Sequence, residues 1–84
     1  MPSYRLALLK QDPRSLSDRD LAMAATYLLA ERATIGPERV DRVMRELYRR
    51  GIDETGVARL TGFPRVRVFY AVHGRPPRLS GRTS

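Results

Sequence analysis

Arg65 and Arg67 stand two residues apart in the run Arg65-Val66-Arg67-Val68-Phe69-Tyr70-Ala71-Val72-His73. Their type and spacing suit a particular chemistry. A guanidinium is a planar fork of donors that matches phosphate oxygens and the guanine edge in bidentate fashion. Phe69 and Tyr70 add aromatic surface, His73 a titratable ring, and Arg59 a further cation upstream. Composition removes most other chemistries. There is no cysteine and one histidine, His73, so disulfides, cysteine nucleophiles and thiolate or histidine-rich metal sites are excluded. Asp18, Asp20, Asp41 and Asp53 fall in different segments, each with a capping or surface role, so no carboxylate–metal centre is expected. The sequence carries no nucleophile–base pair, phosphate loop or zinc spacing. It reads as a non-catalytic protein without a cofactor, a metal or an evident small-molecule ligand.

Charge gives the class of partner. The 84-residue chain carries 16 basic and nine acidic residues, a net +7. Residues 1–36 hold five bases and four acids, and residues 37–53 again five and four. Residues 54–84 hold six arginines against Glu54 alone, so this end supplies +5 of the +7. A one-sided field of that kind attracts polyanions. No apolar run approaches the ~18 residues of a membrane span, and no signal-peptide pattern opens the chain. A cytoplasmic, nucleoid-associated protein with no membrane partner is expected.

The elements that must position these side chains read as helices. Tyr4–Leu9 is apolar and fits one or two helical turns or a strand, ended by Asp12-Pro13. Ser17 followed by Asp20 marks a helix start, and Leu21, Ala24, Ala25, Leu28 and Leu29 repeat at helical spacing to about Ala33. Its apolar band is wide, which predicts burial on more than one side or pairing with a second copy. Gly36-Pro37 is a boundary. Val40, Val43, Met44, Leu47 and Tyr48 then form a stripe opposite Arg39, Asp41, Arg42, Arg45, Glu46 and Arg49, closed by Gly51. Asp53 caps a short helix through Leu60, and Phe63-Pro64 opens a last element ending at His73-Gly74. The fold class is all-α: a small helical bundle of four to five helices containing a three-helix unit. Residues 1–36 form a packing or dimerisation region, 37–73 the three-helix unit, and 74–84 a basic, flexible tail.

Within 37–73 the spacing is that of a helix-turn-helix. Ala58 is the small residue where two helices cross, and Gly62, four later, is the turn glycine. Val57, Leu60, Phe63, Val68 and Ala71 fall on buried positions, and Pro64 suits the first turn of the second helix. Glu46-Leu47-Tyr48-Arg49-Arg50-Gly51-Ile52 followed by Val57-Ala58-Arg59-Leu60-Thr61-Gly62-Phe63-Pro64-Arg65 resembles the homeodomain-like three-helix domains of bacterial resolvases, invertases and small regulators. The resemblance implies a transcriptional regulator that lays helix 64–73 in the major groove of double-stranded DNA. Pro64, Arg65, Val66, Phe69, Tyr70 and His73 would face the duplex, with Arg67 to one side at a phosphate and Arg59 beside them. Two features depart from the pattern. Gly56 lies inside the first helix of the motif at a cost of ~1 kcal/mol, and the second helix is unusually apolar.

The alternation in residues 65–72 is also that of a strand. In that reading, residues 37–50 would be the recognition helix of a winged domain. His73-Gly74-Arg75-Pro76 resembles the Arg-Gly-Arg-Pro core of minor-groove arms, with histidine in place of the first arginine; Arg75 and Arg78 would hold backbone or groove. Shifting the motif back 28 residues puts Ala30, Thr34, Ile35, Val40 and Val43 on Ala58, Gly62, Phe63, Val68 and Ala71, similar to small tandem helix-turn-helix regulators. A homodimer paired through the 18–33 helix is expected. The competing class is a protein–protein adaptor docking through Val66, Phe69 and Tyr70.

Overall fold

A computed structural model describes residues 4–74. Five α-helices follow in order, with no strand among the described residues: α1 (Tyr4–Leu9), α2 (Asp18–Ile35), α3 (Pro37–Arg49), α4 (Glu54–Thr61) and α5 (Arg65–His73). A single 3-10 turn, Pro13–Ser15, joins α1 to α2.

Local chemistry sets each start. Asp12 caps the 3-10 turn by accepting the Arg14 N–H at 3.0 Å. Ser17 caps α2 by accepting the Asp20 N–H at 3.1 Å, and Asp18 and Asp20 place negative charge in its first turn. Asp53 caps α4 through the Gly56 N–H at 2.8 Å. A Cβ on Gly56 would lie 2.7 Å from Ile52 Cγ2 and 3.2 Å from the capping Asp53 Oδ1. Glycine at this position therefore gives room to the α3–α4 connection, so its low helix propensity is not a defect of the motif.

The core is one cluster. Leu8, Leu9 and Leu16 come from the N-terminal end, and Leu21, Ala24, Ala25 and Leu28 from α2. Val40, Val43, Met44 and Leu47 come from α3, Val57 from α4, and Phe63, Val68 and Ala71 from the turn and α5. α2 packs against α1, α3 and α4. That explains its wide apolar band: the surface expected to pair with a second copy is covered largely by the chain itself. On this side Leu29 and Tyr4 are the exposed large apolar side chains among the described residues. Residues 1–36 and 37–73, distinct in sequence, thus share one interior. In the shifted register Ala30 and Thr34 are exposed, whereas Ala58 packs against the core; Val40 and Val43 are buried, as are Val68 and Ala71. No helix among the described residues is long and apolar enough to cross a membrane.

Candidate nucleic-acid interface

α4 ends at Gly62, which is left-handed at φ +83° and returns its N–H to Ala58 O at 2.8 Å. A side chain here would be strained and would bring its Cβ within 3.2 Å of Leu29 Cδ2. Phe63 is buried beneath the turn. Pro64 sits at the N-cap, one residue earlier than the first-turn position the sequence suggests, and α5 begins at Arg65. The local alternation of residues 65–72 yields to tertiary packing. Val68 and Ala71, three apart, are both buried against α3 and α4, which only a helix allows here.

With those two residues inward, helical periodicity turns Val66, Tyr70 and His73 outward and leaves Phe69 half-buried at the flank, while Arg65, three before Val68, lies at the edge of the packed face. Val66 is 54% and Tyr70 51% exposed. Arg59 on α4, Pro64 and Arg65 are exposed as well. Arg65 lies in the first turn of α5, which contains no acidic residue and has no side-chain cap. The orphan N–H groups of that turn and the guanidinium thus point positive charge at the same end of the helix.

Two of the candidate contacts are engaged within the protein. Arg67 is turned sideways to α3, where its Nη1 lies 2.7 Å from Asp41 Oδ1. Its guanidinium also stands 5.8 Å from the Phe63 ring. His73 is held as well. Its Nε2 is 2.8 Å from Glu54 Oε2, the Phe69 ring lies tilted against it at 4.2 Å, and Tyr48 meets it edge-on at 5.5 Å. The hydrogen bond from His73, then one from the Glu54 backbone N–H, hold the Glu54 carboxyl below the usual carboxylate range. The end of the chain that is nearly acid-free in sequence is therefore partly neutralised in space by Asp41. Arg59 and Arg65 are the α4–α5 arginines that meet no carboxylate within 4.0 Å among the described residues. Arg75 and Arg78 lie outside the described residues.

Compared with protein-family models, curated proteins and solved structures, the chain matches none. The functional reading rests on geometry and chemistry. No group of three or more histidine, aspartate or glutamate side chains is placed to hold a metal among the described residues. One basic feature escaped the sequence reading. Arg42, Arg45 and Arg49, spaced three and four apart on α3, line an open groove with Arg14 of the 3-10 turn. The signal was present as helical spacing, but only the fold sets Arg14 across from it.

Proposed function

We propose that the protein is a non-catalytic double-stranded-DNA-binding protein, in the manner of a transcriptional regulator, that lays the outward face of α5 in the major groove. The supporting observation is the position of Arg65: exposed, in the uncapped first turn of a helix whose other face is held by Val68 and Ala71 against α3 and α4. That end can take a phosphate by charge and by backbone N–H groups together, and it orients the helix on the duplex. Val66 and Tyr70 then meet thymine methyls or the sugar-phosphate edge. Such a face grips backbone more strongly than it discriminates bases. A homodimer would double the contact, and Leu29 and Tyr4 are the exposed apolar residues such pairing would cover.

The test is the affinity of the full chain for a short duplex across a salt series. Log affinity should fall linearly with log salt, with a slope of about 0.9 per neutralised phosphate and several phosphates in total. Affinity too weak to measure at low salt would overturn the reading. Asp41→Asn offers a gain-of-function check. It releases Arg67 from its ion pair beside α5, so low-salt affinity should rise several-fold and the slope should steepen by about 0.9. Unchanged affinity and slope would show that Arg67 does not reach a phosphate.

One observation favours a second reading. Val66, Tyr70 and Tyr48, three of the exposed large apolar residues, lie on or beside the α5 face. An apolar patch of this kind suits docking on a protein. A partner complex formed through Tyr70 that survives high salt, together with absent duplex affinity, would select this alternative.

A further inference from the structure

On α3, next to the side where α5 packs, lies a groove of about 630 Å³ lined by Asp12, Pro13, Arg14, Arg42, Arg45, Glu46 and Arg49. Its two carboxylates are already committed. Asp12 caps the 3-10 turn and faces Arg14 at 3.7 Å. Glu46 is 4% exposed and takes a fork from Arg49, Nε at 3.1 Å and Nη2 at 2.9 Å, with Arg50 Nε behind it at 2.8 Å. The fork holds the Arg49 guanidinium in one orientation and leaves Nη1 outside it. Arg42 and Arg45 are exposed and meet no carboxylate within 4.0 Å among the described residues.

Like charges at i,i+3 and i,i+4 repel along an isolated helix. Arg42, Arg45 and Arg49 form such a row, and Arg14 faces the same groove from the opposite wall. At ~1.5 Å rise per residue the row spans about 10 Å, the axial length of about three base-pair steps at ~3.4 Å each. The groove therefore offers guanidinium donors from two walls over the length of several consecutive phosphates. It opens roughly a quarter-turn round α3 from the side on which α5 packs, so the two faces do not share a plane. The 3-10 turn joins α3 on the side of Glu46 and Arg50, whereas α5 packs on the side of Asp41 and Tyr48.

We propose that this groove grips the phosphate backbone of a second duplex, so that one molecule bridges two DNA segments. The bridging rests on the reading of α5 given above; the grip of the groove does not.

The experiment uses the full chain, a bead-bound duplex and a fluorescent duplex that is captured only through the protein. Wild type should capture the fluorescent duplex. The double substitution Arg42→Ser/Arg45→Ser alters exposed side chains and should leave helicity unchanged by circular dichroism. It should keep single-duplex affinity within about threefold while capture falls at least tenfold, and Arg42→Lys/Arg45→Lys should restore most of the capture, since a phosphate accepts a point charge. Wild type that captures nothing overturns the proposal. So does a serine variant that captures as well as wild type, because bridging then comes from pairing of protein copies. Equal loss of single-duplex affinity and capture also overturns it, since both faces then hold one duplex. Competition by inorganic triphosphate as effective as by unlabelled duplex, at equal phosphate concentration, would assign the groove to a small anion instead. Arg59→Ser/Arg65→Ser separates the two readings. If it leaves single-duplex binding intact while the groove variant abolishes it, the reading of α5 falls and bridging with it, and the grip of the groove stands.

Discussion

Replacing Arg50 with alanine is expected to lower the midpoint of thermal unfolding by roughly 10 °C or more. Arg50 joins segments far apart in the chain. Its Nε bonds Glu46 at 2.8 Å, and its Nη2 bonds the carbonyls of Leu16 at 2.8 Å and Pro13 at 3.2 Å. Its Nη1 reaches Asp18 at 2.8 Å, but the Asp18 side chain is 92% exposed and that arm adds little. The weight lies on the other arms. Glu46 is nearly buried, and the two carbonyls close the 3-10 turn against the end of α3. Without the guanidinium Leu16 O loses this donor, Pro13 O keeps only the Leu16 N–H, and Glu46 keeps only Arg49. Lysine at position 50 presents no planar fork and should recover less than half of the loss.

The same cluster gives the protein an acid limit. Hydrogen bonds from Arg49 and then Arg50 hold the Glu46 carboxyl at about 2, below its ordinary 4.5. A depressed folded-state pKa contributes stability that is present in full above the unfolded value and is lost as pH falls through the folded one. Glu46 should therefore stabilise the fold above about pH 4.5 and cease to do so as pH approaches 2. Thermal melts at pH 7 and pH 3 should show a smaller acid-induced drop for Glu46→Gln than for wild type, from a lower starting point. An identical drop would place the acid sensitivity elsewhere.

What the sequence disclosed was local, and what it concealed was distant. The caps at Ser17 and Asp53 and the turn at Gly62 involve residues within four positions, so propensity and spacing reveal them. The α3 stripe of Val40, Val43, Met44 and Leu47 is buried as its periodicity implies. The strand-like pattern of residues 65–72 does not decide the element, because alternation is counted along the chain, whereas Val68 and Ala71 are chosen by what packs on them. Charge was the least legible property. Arg67 finds Asp41, His73 finds Glu54 and Arg50 finds Asp18, pairs separated by 26, 19 and 32 residues. A count along the chain sees a basic terminus; the fold redistributes its counterions and places uncommitted arginines on α3 as well. The glycine at position 56, costly on propensity alone, is explained only when Ile52 is seen beside it.

Arg65→Glu should separate folding from binding. Arg65 opens α5, where the helix dipole presents partial positive charge and the first turn holds no acidic residue, the Glu54 carboxylate of α4 lying near enough to feel the Arg65 charge. A cation there opposes the dipole, so glutamate should leave stability unchanged or raise it by about 0.3–1 kcal/mol. Duplex affinity should move the other way. The substitution reverses a charge at the proposed phosphate end of α5, and low-salt affinity should fall roughly tenfold or more, with a shallower salt slope. Arg19→Glu is the matched control: it is exposed, lies in the first turn of α2, and changes the net charge of +7 by the same amount. A loss confined to Arg65→Glu would mean that position, and not total charge, holds the duplex. Equal losses in the two variants would reduce the interaction to a diffuse field and remove the case for α5 as the reading element. Arginine at a site where glutamate would cost the fold nothing is the pattern expected when binding, and not folding, selects the residue.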